Sequence, residues 1–305
     1  MNRLSYLISQ RGSALIAILA ITGFMVTLLV EFVHRVYIST ISYDYWSKSQ
    51  SLSFACKSGI TLSAKVMSET GDIYYLSPNG TLIMPIEKVT DSFQGNLLIS
   101  AYDENSRFNL NSLVYQNGEI NLISYQIFKR LLKNLQINEQ IADLIVDWID
   151  KDNIERVRGS EEKAKNSYLD AVDEIYQIKG LEFEIAERLH DYVTVYGYDR
   201  IDSTIININS APAAVIMAID DRITKDLAER IIQYRSLEPL KSVSDITKIS
   251  GFEGALGQSL IGKIAVIVRK IRIFSTAEQE GVKRIIETVV ELQGKSQIVR
   301  YWREI

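Results

Sequence analysis

The sequence predicts an α+β fold: a long N-terminal helix packed on a small antiparallel sheet, with a large inserted all-α domain. Three observations carry this. A helical pattern runs from Ser13 to about Met67 with no proline and, after Gly23, no glycine before Gly59. Segments rich in β-branched residues lie on both sides of the middle of the chain, at 81–86 and 96–102 and again at 265–274, 282–292 and 297–302. Between them, residues 111–263 read as mostly helical.

The first 18 residues of that helix, Ser13 to Val30, carry no charged side chain. At about 1.5 Å per residue they span roughly 27 Å, close to the ~30 Å hydrocarbon core of a bilayer. This predicts a membrane helix over 13–30, including Ser13, Leu15, Ala17 and Val30. Arg3 and Arg11 precede it and no acid does, which places the N-terminus in the cytoplasm and the rest of the chain across the membrane. The run is longer than the apolar region of a cleaved secretory signal. Beyond Val30 the pattern continues through Glu31, Arg35, Tyr37, Ile41, Tyr45 and Leu52 as an amphipathic half suited to packing on a soluble domain. Gly71 and Ser77-Pro78-Asn79-Gly80 supply the turn that ends it.

Composition sets outer limits. With 47% hydrophobic and 24% charged residues the balance is that of a globular protein. A net charge of −4 gives no electrostatic footprint for nucleic acid. The single cysteine, Cys56, excludes an internal disulfide. His34 and His190 lie far apart, and there is no glycine-rich phosphate loop, Ser-His-Asp set or Cys-x-x-Cys pair. An enzyme is not expected.

The central region repeats itself. Asn109-Leu110-Asn111-Ser112-Leu113 matches Asn207-Ile208-Asn209-Ser210-Ala211, with side chains suited to capping helix starts. Ile141 to Trp148 matches Leu227 to Tyr234, and Val172 to Gly180 matches Val243 to Gly251. The order is kept and the spacings differ, so two related helical modules are expected, at about 111–196 and 205–263. The second resembles a helix-hairpin-helix (SAM-like) unit, with Ala211-Pro212 at a helix start. Such units bind DNA phosphates through a glycine-bearing hairpin at a helix N-terminus. Here the hairpin reads Asp220-Asp221-Arg222-Ile223-Thr224, which has no glycine and two acids that repel phosphate. Contact with protein is the better reading of this scaffold.

Two further resemblances bear on function. Gln10-Arg11-Gly12-Ser13-Ala14-Leu15-Ile16-Ala17 resembles a prepilin-type signal, which implies cleavage after Gly12 by a membrane peptidase, with residues 1–12 as leader and Ser13 as the mature N-terminus. Major pilins carry a glutamate at mature position five. This chain has Ala17, as suits a subunit with none above it. Together with Asp103-Glu104-Asn105-Ser106-Arg107-Phe108-Asn109-Leu110-Asn111, Asp147-Trp148-Ile149-Asp150-Lys151-Asp152 and Ile208-Asn209-Ser210-Ala211-Pro212-Ala213, the leader makes the chain resemble the type II secretion minor pseudopilin K family.

The resemblance implies a pilin-like body from 68–110 and 264–305, interrupted by the helical domain. It implies a single-pass inner-membrane protein of a Gram-negative bacterium, with its C-terminal domain periplasmic. The partners implied are other minor pseudopilins in a tip complex and the prepilin peptidase, with secreted substrates and the outer-membrane secretin beyond them, and no nucleic acid. The function implied is initiating or capping the filament that drives folded proteins across the outer membrane. A domain-sized insertion would clash with a subunit stacked above it. The alternatives are a minor pilin and a membrane-anchored DNA-uptake protein using the helix-hairpin-helix module.

In the family the segment after the Asp-Trp-x-Asp motif binds calcium. The oxygens available here are those of Asp150, Asp152 and Asn153, then Glu161 and Glu162, with Asp147 behind them, and calcium takes six to eight such hard donors. The chain departs from the family pattern at Ile154 and Ser160. Arg156, Arg158, Lys163 and Lys165 lie nearby, and they weaken cation binding or replace it with salt bridges.

Overall fold

The computed structural model describes residues 2–76, 81–86 and 95–305, without the side chains of 2–11, Thr81, Leu82, Met84 and Ile86. The proposed turn Ser77–Gly80 and the side chains of Arg3 and Arg11 lie outside the described residues. In chain order the elements are α1 (Asn2–Glu69), β1 (Thr81–Ile86), β2 (Asn96–Asp103), β3 (Phe108–Asn109), α2 (Leu122–Asn134), α3 (Ile141–Ile149), α4 (Phe183–His190), β4 (Val193–Thr194), β5 (Ile206–Asn207), α5 (Ala213–Ile219), α6 (Lys225–Leu237), α7 (Ala255–Leu260), β6 (Ile264–Ala265), β7 (Lys270–Gln279), β8 (Val282–Gln293) and β9 (Ser296–Glu304).

Helix α1 is one uninterrupted rod of 68 residues, roughly 100 Å long. It has two kinds of surface. From Gly12 to Tyr45 every side chain is exposed, and this stretch holds an apolar window long enough to cross a membrane. Thr22 and Thr27 donate their hydroxyls to the carbonyls of Ile18 and Gly23, so the polar atoms in the apolar run are satisfied within the helix. From Leu52 onward one stripe is buried: Leu52, Ala55, Cys56, Ile60, Ala64 and Met67, spaced three and four apart. At Gly59 a Cβ would lie 2.7 Å from Ile99 Cδ1 and 3.1 Å from Leu97 Cδ2. The missing side chain lets the helix approach the sheet closely there.

The sheet is antiparallel, in the order β1-β2-β7-β8-β9. Its inward face gives Leu97, Ile99, Ala101, Ile271, Ile273, Ala277, Ile286 and Val290 to one core with α1. Glu280 and Gly281 both have positive φ between β7 and β8, the type I′ geometry that suits a two-residue hairpin.

β2 and β7 are neighbours although residues 104–269 separate them, with Asp103 opposite Ile271. Everything between leaves and re-enters at one end of the sheet. That end lies beside the C-terminus of α1, where Val268 N–H bonds to Ile73 O at 2.7 Å and Gln297 donates to Ser68 at 3.0 Å. The opposite end, at the β7–β8 turn, reaches Lys48 through Glu280 at 2.7 Å. The insertion therefore sits at the end of the body farther from the apolar half of α1.

The insertion has its own core, from Phe108 to Val266, distinct from that of the body. Its two halves are built alike. In the first, β3 pairs in parallel with β4, and α2, α3, a 3₁₀ turn (Val172–Gln177) and α4 lie between. In the second, β5 pairs in parallel with β6 around α5, α6, a 3₁₀ turn (Val243–Lys248) and α7.

Two expectations are corrected by these pairs. The insertion is not wholly helical, because each half is closed by a two-residue parallel ladder. Its bounds also widen. Phe108–Asn109 and Ile264–Ala265, expected in the body at 68–110 and 264–305, pair inside the insertion. The strand expected at 265–274 is accordingly split. Ala265 belongs to β6, the Val266 carbonyl is taken by Asn209, and Val268 bonds to Ile73, so the body strand starts at Lys270.

Candidate metal centre and the module that carries it

Each half is tied together by the second asparagine of its Asn-x-Asn motif. The Asn111 amide donates to Leu169 O (2.9 Å) and Val195 O (3.0 Å), and its oxygen accepts from Leu169 N (2.8 Å). Asn209 repeats this with Leu240 O (2.8 Å), Val266 O (2.9 Å) and Leu240 N (2.9 Å). Both side chains are buried, where leaving such groups unpaired is costly. These asparagines are cross-braces between distant loops. The local turn-capping expected from sequence falls to the first asparagine of each pair, since Asn109 accepts from Asn111 N and Asn207 from Asn209 N.

The halves differ in what joins their second helix to the 3₁₀ turn. In the second half this is residues 238–242. In the first it is the long loop 150–171, which carries most of the acids singled out above. Asp147, on the last turn of α3, organises this loop. Its carboxylate accepts from Arg156 N (2.9 Å), Val157 N (3.3 Å), the Ser160 hydroxyl and Arg156 Nη1 (2.6 Å). The return is fixed by Asn166, whose N–H bonds to Trp148 O and whose φ is positive, as is that of Lys163.

Asp150, Asp152 and Glu161 each bring a carboxylate oxygen within 4.8 Å of the others. Asp150 is fully buried: Oδ2 lies 2.8 Å from Arg156 Nη1, and Oδ1 has no donor among the described residues. Both Glu161 oxygens are also buried without a donor. Burial raises the Asp150 carboxyl to about 6, against the pull of Arg156 and reinforced by Asp152 and Asp147. Burial, then the same three aspartates, raises Glu161. Orphaned, mutually repelling carboxylate oxygens fit a hard divalent cation.

Not every acid proposed from the sequence joins them. Asp147 is spent on the loop backbone, Ser160 and Arg156. Glu162 is exposed and paired with Lys179. Asn153 is exposed, its oxygen 3.4 Å from the Asn166 amide. Ser160, a departure from the family pattern in sequence, is in the structure one of the donors that hold Asp147.

At the hairpin between α5 and α6, Asp220 is gripped by Arg222 Nε (2.8 Å) and Nη2 (2.9 Å), which holds its carboxyl well below the usual range. Thr224 caps α6 through Leu227 N. At the other end of the chain, Gly12, Ser13, Leu15, Ala17 and Val30 lie on the exposed half of α1, within continuous helix.

Insertion and body meet through charge rather than a shared apolar core. Arg272 of β7 pairs with Glu104 (2.7 Å) and Glu287 (2.5 Å), and Arg303 links Glu287 (2.8 Å) to Asp173 (2.5 Å) in the first half. Glu104 is buried, which alone would raise its carboxyl, yet the Arg272 and Arg107 charges hold it at about 2. The alternation of β7 and β8 did not reveal these groups, because a charge within a strand ordinarily reads as solvent-facing.

Residues 106–198 and 206–266, together half of the chain, match family models described as type II secretion system (T2SS), protein K. A Type II secretion system protein K from Pectobacterium carotovorum subsp. carotovorum is 22% identical over 253 residues, covering 74% of this chain and 75% of that protein. The fold is similar to that of a chain in the crystal structure of the GspK-GspI-GspJ complex from the enterotoxigenic Escherichia coli Type 2 Secretion System. The TM-score is 0.68 at 17% identity, over 87% of this chain and 99% of that one.

Proposed function

Because this chain belongs to the type II secretion system protein K family, and so is a minor pseudopilin and a structural component of that machinery, we propose that it sits at the tip of the pseudopilus, where it initiates or caps the filament. The observation that carries this is where residues 104–269 emerge. They leave the sheet at the end beside the α1 C-terminus, opposite the end contacted by Lys48. With the apolar half of α1 in the inner membrane, N-terminus cytoplasmic and the remainder periplasmic, the insertion occupies the membrane-distal end, where a stacked subunit would otherwise stand. Ala17, in place of an acid, leaves no carboxylate in the apolar helix in need of a partner.

The long unpacked half of α1 is suited to packing against the helices of other minor pseudopilins. The similar solved chain is itself in complex with GspI and GspJ, and counterparts of these are the partners we propose here. Prepilin peptidase would act between Gly12 and Ser13. The cluster of Asp150, Asp152 and Glu161 would hold calcium, which would supply the positive charge its orphaned oxygens lack.

Copy number tests the tip position. The number of these chains per filament should stay constant as filaments lengthen, and a number that grows with length would exclude it. The mass of the N-terminal peptide, from membranes with and without active prepilin peptidase, tests processing. A terminus at Ser13 that depends on the peptidase is expected, and an intact Met1 in both samples would make α1 a simple anchor.

A further inference from the structure

We propose that Arg156 is the resident cation of the acidic loop, and that a divalent ion enters the cluster of Asp150, Asp152 and Glu161 only by displacing the Arg156 guanidinium. This rests on the reading of that cluster as a calcium site. Nη1 of Arg156 lies 2.6 Å from Asp147 Oδ1 and 2.8 Å from Asp150 Oδ2, and Nη2 lies 3.8 Å from Asp152 Oδ2. One positive group thus reaches three carboxylates, those of Asp147, Asp150 and Asp152, while Glu161 is left without a donor. A guanidinium does not lose its proton in a protein, so it cannot give way by neutralisation. A divalent ion on either oxygen of Asp150 would stand beside the guanidinium that already holds Oδ2, and the two cations would repel strongly on so buried a carboxylate. Entry of a metal therefore requires exchange.

The loop is built to permit that exchange. The backbone at 156 is fixed independently of the side chain, because Arg156 N and Val157 N both donate to Asp147 Oδ2. The side chain itself is 23% exposed, with an open side toward solvent. The guanidinium can swing out while Asp147 keeps its two backbone donors and the Ser160 hydroxyl. Two consequences follow. The loop keeps its shape without metal, and its affinity for calcium is reduced by the competition.

The test is calcium chloride titration of the detergent-solubilised full chain by calorimetry, for the wild type, Arg156→Gln, Arg156→Lys and Asp150→Ala. Arg156→Gln should bind calcium at least tenfold more tightly than wild type. Arg156→Lys should stay near wild type, and Asp150→Ala should bind least. Equal affinity of wild type and Arg156→Gln would overturn the displacement and leave the metal site standing. No binding by either would overturn both. A second readout needs no variant. Calcium should raise the reactivity of Arg156 toward phenylglyoxal, mapped by peptide mass, and an unchanged rate in the calcium-loaded wild type would also overturn the displacement.

Discussion

The two halves of the insertion share an architecture and differ in one loop. Each runs from an Asn-x-Asn strand through two helices, a 3₁₀ turn, a left-handed glycine (Gly180, Gly251) and a third helix, to a closing parallel strand. In the second half the link before the 3₁₀ turn is 238–242. In the first it is 150–171, and there the acids of the candidate metal cluster collect. The repeated frame needs only the asparagine brace and the turn caps, so it accommodates a long loop at that point without altering its core. Loop length costs little entropy once its ends are fixed, and α3 and the 3₁₀ turn fix both ends.

The largest test of this comparison concerns how each half is anchored. The second half is tied to the sheet by Asp103, which accepts from Asn207 at 2.6 Å and from Asn105 N at 3.0 Å. In the first half the matching Asn109 instead holds the Ile201 and Ser203 carbonyls. Burial lifts the Asp103 carboxyl from 3.8 to about 7, with the hydrogen bonds from Asn105 and Asn207 opposing the rise. A raised carboxyl binds its proton more tightly in the folded state. Its stabilisation is complete below about pH 4 and is lost as pH climbs through 7, on the order of 4 kcal/mol at most. Asp103→Asn should remove that slope, so that the variant gains on wild type between pH 5 and pH 8 in urea unfolding. Parallel pH dependence of the two would break this account.

Next come the braces. Asn111→Ala and Asn209→Ala each strand three buried backbone groups and should each cost about 3 kcal/mol or more. The two losses should be similar, and a cost below ~1 kcal/mol for either would break the equivalence of the halves. Calcium should then separate them. At a hundredfold excess over its Kd it should stabilise wild type by about 2.7 kcal/mol, an increment absent from the Asp150→Ala, Asp152→Ala double variant. Identical melting with calcium and with chelator would remove the ion from the first half. The smallest effect is at the 3₁₀ turns. Glu174 accepts from Asp170 N and Ala171 N, and Asp245 accepts from Lys241 N and Ser242 N. Alanine at either should cost about 1 kcal/mol, with Glu174 the more costly because the Lys165 it holds is less exposed than the Lys248 held by Asp245 at the same 2.7 Å.

What could be read from the sequence followed from how local the determinants were. The long helix was legible because composition alone sets it, and the repeat because its parts recur in order. The edges of the insertion were not. Ile264 and Ala265 open a stretch dominated by β-branched residues, and only their partners, Ile206 and Asn207, reveal which sheet they join. Arg272 reads as a surface charge because its partner Glu104 lies across the insertion, and Glu287 because its partners Arg272 and Arg303 lie on other strands. At the acidic loop the residue types were legible but their division of labour was not. That Asp147 serves the backbone while one oxygen of Asp150 and both of Glu161 have no donor depends on how the loop closes over α3.

The adjacency of β2 and β7 has a consequence for assembly of the chain. β2 is made early, and its inner neighbour arrives only after residues 104–269 have followed. At ~5–20 residues per second that wait is on the order of ten to thirty seconds. For that interval Leu97, Ile99 and Ala101 have only α1 to cover them, and one edge of the strand stays open. A self-contained core lets the insertion fold in the meantime and bring the start of β7 back beside the end of β2. The closing of the body is thus timed by the domain that interrupts it.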